Sequence, residues 1–129
     1  MASINASTTI DKISEQASAY IRVEEKTLTL NEAIEREAVL RGLDHGLAKK
    51  IAFCESTNRQ FDKKTGETLR GKKNPNDVGL YQINEKFHLE RSKALGYDIY
   101  TLEGNVGYAL WLMEREGYRH WNSSRSCWG

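Results

Sequence analysis

Proline occurs once in the 129 residues, at Pro75, and cysteine and methionine twice each. So little proline, with no low-complexity stretch, excludes a collagen-like or proline-rich chain. Nor does charge of one sign dominate: 19 Lys and Arg against 18 Asp and Glu leave a formal charge of +1. Nucleic-acid-binding domains ordinarily carry a basic excess, so no nucleic-acid partner is expected. No apolar run approaches the roughly 18 residues needed to span a bilayer, so no membrane span is expected. The opening "MASINASTTIDKI" lacks a basic n-region and an apolar h-region, and does not read as a signal peptide. That leaves three routes open: the protein stays inside, a leader is already gone, or export proceeds otherwise. His45, His88, His120 and the two cysteines show no ligand spacing such as C-x₂-C or H-E-x-x-H. No metal and no other cofactor is expected.

What is present suits one domain over residues 1–129, long enough for one core. Residues 1–28 are polar, with Ile10, Ile13, Ala17, Tyr20 and Ile21 at helical spacing, and read as an N-terminal helical extension. Residues 29–129 read as the core. Thr29 and Glu32 form a capping box ahead of Ile34, Ala38, Val39 and Leu43. Asp44 caps a second helix, "HGLAKKIAFCES". Turn formers crowd residues 56–80, and Lys64-Thr65-Gly66 suggests a small hairpin in the only plausible β region. Helix returns over about Glu85–Leu95 and over Leu102–Glu116, stopped by Gly96 and Gly117. The fold class expected is therefore mainly α (α+β).

At about 100° per residue, Ala48, Ile51, Ala52 and Cys54 form one apolar arc of the second helix, and Glu55 falls inside it. A carboxyl turned inward loses hydration, which raises its pKa and suits it to general acid work. A frayed helix end that bends the side chain out to water, or a partner arginine, would serve equally well on this pattern alone. Two cysteines fit one disulfide or two free thiols.

The order of motifs narrows these readings. Glu55-Ser56 ends a helix, "DVGLYQIN" follows at Asp77–Asn84, and "GNVGYALWLMEREG" comes later. This set resembles the lytic transglycosylase and goose-type lysozyme superfamily over about residues 40–128. The Asp before "GLYQIN" is similar to that of the secretion-associated enzymes, and the Cys-Glu pair with a late Trp/Cys tail resembles the resuscitation-promoting factors. The resemblance implies a lysozyme-like fold, a helical bundle with a small β-hairpin or loop region beside a cleft. It implies peptidoglycan glycan strands as the partner, a monomer, and a periplasmic, cell-surface or secreted location. It implies cleavage between N-acetylmuramic acid and N-acetylglucosamine, with Glu55 as general acid and base. Ser56, Tyr81, Gln82, Asn84, Asn105 and Tyr108 become candidate substrate contacts, and Cys54 and Cys127 a candidate disulfide. Asp77 is catalytic only if the reaction is hydrolytic. Two features depart from the family pattern. The tyrosine expected about two turns after the motif asparagine is Leu112 here, and Tyr81 stands where many relatives have methionine. Capture by the sugar itself and capture by water both stay open. So does a non-catalytic wall-binding or interaction protein, in which Glu55 is structural. Tyr97, Tyr100, Trp111, Tyr118, Trp121 and Trp128, with Tyr81, are further faces for sugar stacking, two or three of them expected at the cleft.

Overall fold

The computed structural model describes residues 28–129. The helical extension expected over residues 1–28 lies outside the described residues but for Leu28. Among the described residues the chain is mainly helical, with five α-helices, one 3₁₀ segment and one two-stranded antiparallel sheet.

Helix α1 spans Leu30–Leu40. Its capping box forms as expected: Glu32 N–H donates to Thr29 Oγ1 at 3.2 Å, and Thr29 N–H donates to Glu32 Oε1 at 3.1 Å. Ile34 and Ala38 face the core, whereas Val39 is turned to solvent and does not share their face. Gly42, in the left-handed region, ends the helix. Helix α2, His45–Ser56, starts where Asp44 Oδ1 accepts from Leu47 N–H at 3.1 Å. It buries Ala48, Ile51, Ala52 and Ser56, and packs on α1. Thr57 and Asn58, both left-handed, turn the chain away.

The reversal expected around Lys64-Thr65-Gly66 forms, but as a single antiparallel bridge and not as a sheet. Residues 62–66 form a tight turn in which Asp62 Oδ1 accepts from Lys64 and Thr65 N–H, closed by the single bridge pair Phe61 and Thr68. The sheet is downstream: β1, Asp77–Val78, pairs with β2, Ile83–Asn84. Val78 and Ile83 are buried opposite each other, and Arg70 adds one further bridge to Val78. Buried β-branched residues hold this short pair together, whereas the exposed polar tip at 63–67 has no apolar face to bury.

Helix α3 spans Glu85–Ala94 and helix α4 spans Leu102–Glu116. Helix α4 is the central strut: Gly104 to Leu110 are buried without interruption. Gly104 makes that possible on one side, because a Cβ there would lie 1.8 Å from Asp98 O. The 3₁₀ segment Arg119–Ser124 and helix α5, Arg125–Trp128, then return the chain to α2. Cys127 closes a disulfide with Cys54, 73 residues back, so the alternative of two free thiols does not hold. A closure of that length contributes about 4 kcal/mol in the chain-entropy model. No helix among the described residues is long and apolar enough to cross a membrane.

Candidate active site around Glu55

Glu55 sits on the last turn of α2, between the disulfide cysteine and the buried Ser56. The arc read from the sequence is the buried one, and Glu55 is half-buried at its edge. Two elements face its carboxyl. The Ser124 hydroxyl, from the 3₁₀ segment, donates to Glu55 Oε2. Asp77, from β1, contributes negative charge. Burial raises the Glu55 pKa above the ordinary glutamate value, the Ser124 hydrogen bond opposes this, and the Asp77 charge adds to the rise. Among the described residues no arginine or lysine acts on it as a partner. Its oxygen is therefore held by a hydroxyl at a half-buried position and not by an arginine of the described residues.

Asp77 has its own pKa raised by burial, against a hydrogen bond from Asn84 Nδ2 at 3.2 Å. Asn84 also caps α3, its Oδ1 accepting from Lys86 N–H at 3.0 Å and Phe87 N–H at 3.4 Å. Gln82 holds the hairpin turn, donating from Nε2 to Gly79 O at 2.9 Å. Its φ is +51°, a left-handed conformation uncommon for a residue with a side chain. Such conformations collect at functional sites and at turns. Asp77, Gln82 and Asn84 therefore sit together on one hairpin, all partly exposed.

The remaining candidate contacts, Ser56, Tyr81, Asn105 and Tyr108, are buried and hydrogen-bonded within the protein. Ser56 is buried, donates to Ala52 O and accepts from Arg59 N–H at 3.0 Å. Tyr81 is fully buried, its hydroxyl donating to Ala48 O at 2.8 Å. Asn105 is fully buried and fully used: Oδ1 accepts from Tyr81 N–H, and Nδ2 donates to Val78 O and Ile99 O. Tyr108 is also fully buried, its oxygen 2.7 Å from His88 Nδ1 and accepting from Arg91 Nε at 2.9 Å. Tyr81 and Asn105 in this set satisfy buried backbone groups that would otherwise lose their hydrogen bonds. The aromatics are divided in the same way. Trp121 is buried, donating from Nε1 to Tyr81 O at 2.9 Å, while Trp111 stacks on Tyr108 with Arg91 and Arg115 over its ring.

Two residues that sequence reasoning passed over prove to be central. Gln60 is buried and joins Asn105 in a clamp: its Oε1 accepts from Leu80 N–H at 2.8 Å, and its Nε2 donates to Ile99 O at 3.3 Å. Gly79 must be glycine beneath this clamp, with φ +74° and a Cβ that would lie 2.4 Å from Asn105 Nδ2. Ser124 is the second, and the disulfide was its signal. With Cys54 joined to Cys127, the neighbour of one and the residue one turn before the other must lie close together.

Two open hollows elsewhere, of about 710 and 880 Å³, are lined by the turn around Phe61, Gly66 and Arg70 and by Ala33, Tyr97 and Val106 respectively, and neither includes Glu55. Among the described residues no group of three or more His, Cys, Asp or Glu could hold a metal ion. Comparison with known proteins found no matching family model, no matching curated protein and no matching solved structure.

Proposed function

We propose that this chain is a glycosidase that works through a single carboxylic acid, Glu55. More particularly, it is a peptidoglycan lytic transglycosylase with a lysozyme-like fold. The observation that carries the proposal is the environment of Glu55, a half-buried carboxyl with a raised proton affinity, no cationic partner among the described residues and a fixed hydroxyl beside it. A structural glutamate gains from a cation, whereas a general acid must keep its proton near neutral pH.

In this reading Glu55 protonates the glycosidic oxygen between N-acetylmuramic acid and N-acetylglucosamine, and the C1–O bond breaks. The muramic acid 6-hydroxyl then attacks C1 and gives its proton to Glu55, which is returned to its starting state. The product is a 1,6-anhydro sugar, formed without loss or gain of water. Gln82 and Asn84 meet the glycan in this reading, which their partial exposure on the hairpin beside Asp77 supports. The Cys54–Cys127 disulfide supports a periplasmic, cell-surface or secreted location, where such bonds persist.

One observation favours hydrolysis as a second reading. Asp77 is close enough for its charge to act on Glu55, as a carboxylate activating water would be. Digestion of intact peptidoglycan, with product masses, tests both. Anhydro products are expected, and products heavier by one water would replace the transglycosylase with a muramidase. Wall binding without cleavage, unchanged by Glu55→Gln, would leave only a binding module.

A further inference from the structure

Ser124 holds more hydrogen-bond partners than one hydroxyl can serve at once. Its Oγ is bonded to Glu55 Oε2 and lies 3.1 Å from Trp121 O, two acceptors for a single proton. The lone pairs of the same oxygen face Trp128 Nε1–H at 3.1 Å, and that indole also reaches Trp121 O at 3.2 Å. The oxygen is thus fixed while its proton has a choice. The fixing is covalent as well, since Cys127 is one turn beyond Ser124 and its disulfide partner Cys54 adjoins Glu55. The charged group facing Glu55 from the hairpin is Asp77, while the tail side presents the Ser124 hydroxyl.

We propose that Ser124 is the positioning residue of Glu55, its hydroxyl turning between Glu55 Oε2 and the Trp121 carbonyl in step with the proton on Glu55. When Glu55 is ionised the hydroxyl donates to it. When Glu55 is protonated the carboxylic O–H can donate to Ser124 Oγ, and the hydroxyl proton moves to Trp121 O. No bond is made or broken at Ser124. A general acid that becomes a base within one turnover needs a neighbour that accommodates both states, and a rotating hydroxyl does so without moving a heavy atom. The inference rests on the glycosidase reading for its purpose, though the coupling itself can be read without substrate.

The test is an NMR titration of the Glu55 side-chain carboxyl and the Trp128 indole N–H in the full chain. The indole resonance is expected to shift with the same midpoint as Glu55, and to lose that response in Glu55→Gln. In Ser124→Ala the Glu55 midpoint is expected to rise by about one pH unit, the effect of removing a hydrogen bond to the charged form. Ser124→Thr, which keeps the hydroxyl, is expected to restore it. In wall digestion the alkaline limb of the Ser124→Ala pH profile should move up by the same amount, with kcat falling several-fold and KM nearly unchanged. An indole that ignores the Glu55 midpoint would overturn the coupling. So would a midpoint that stays put in Ser124→Ala, or one that moves equally in Ser124→Thr. If the titrations behave as expected and no wall is cleaved, the glycosidase reading fails and the coupling stands.

Discussion

Glu55 and Glu116 carry the same side chain into opposite surroundings. Glu116, at the end of α4, is held by two arginines: Arg91 Nη2 donates to it at 3.1 Å and Arg119 bonds its other oxygen, with His120 Nε2 3.4 Å away. Burial pushes its pKa up, but the Arg119 hydrogen bond and the Arg91 charge hold it below the ordinary value. The same cluster suppresses the charge of its histidine: burial, with His120 and Arg91 nearby, brings His88 down to about 4. The carboxylate there has cationic counterparts. Around Glu55, among the described residues, the charge that acts on it is another carboxylate, and the opposing contact is a neutral hydroxyl. A network closed on itself holds elements together, while a carboxyl left uncompensated is stabilised only by giving up its charge.

The sharpest way to break this comparison is to neutralise each glutamate. Glu55→Gln should lower peptidoglycan cleavage by about 10²-fold or more, the usual weight of a general acid. Glu116→Gln should leave cleavage within a few-fold. Comparable losses in both variants would show that the environment of Glu55 does not mark it out. Removing the disulfide through Cys54→Ser with Cys127→Ser should cost about 4 kcal/mol in denaturant unfolding. That cost should fall equally on both regions, because it acts through the unfolded chain.

Stability against pH separates the two carboxyls by sign. The Glu55 pKa is raised in the folded state, so its charge opposes folding above the folded pKa, and the penalty fades below the ordinary value of 4.5. Glu55→Gln should therefore raise the melting temperature at pH 7, by roughly 2–4 °C for an effect under 1 kcal/mol, and change it little at pH 4. The Glu116 pKa is lowered, so its contribution is present above its ordinary value and lost as pH falls through the folded one. Glu116→Gln should lower the melting temperature at pH 7, and scanning calorimetry at the two pH values reads both signs. The smallest effect is expected from Asp77→Asn, which should bring the Glu55 midpoint down by a fraction of a pH unit and leave a transglycosylase active within a few-fold. Complete loss of activity there would favour water as the nucleophile.

The helices were legible because their signals are local. Thr29 with Glu32, Asp44, and the span from Leu102 to Gly117 all match what the chain spells out over a few residues. The inward turn of Glu55 followed from periodicity in the same way. The hairpin did not, because strands of two residues have no period to detect, and Val78 and Ile83 pair across a turn held by Gln60 and Asn105 from distant parts of the chain. The internal bonding of the polar candidates was illegible for a related reason. Asn105 and Tyr108 have the chemistry of ligand-binding side chains, and only tertiary packing reveals that their partners are already inside the protein. Ser124 was hidden by distance, 69 residues from the carboxyl it touches.

The Cys54–Cys127 bond also draws a covalent ring through the chain, and Glu55, Asp77, Asn105 and Ser124 all belong to it. A protease that cuts the exposed polar turn between Lys63 and Glu67 opens the ring once without dividing the molecule. The nicked protein keeps its acid, its hairpin and its tail on one connected body, and falls into two pieces only when the disulfide is reduced.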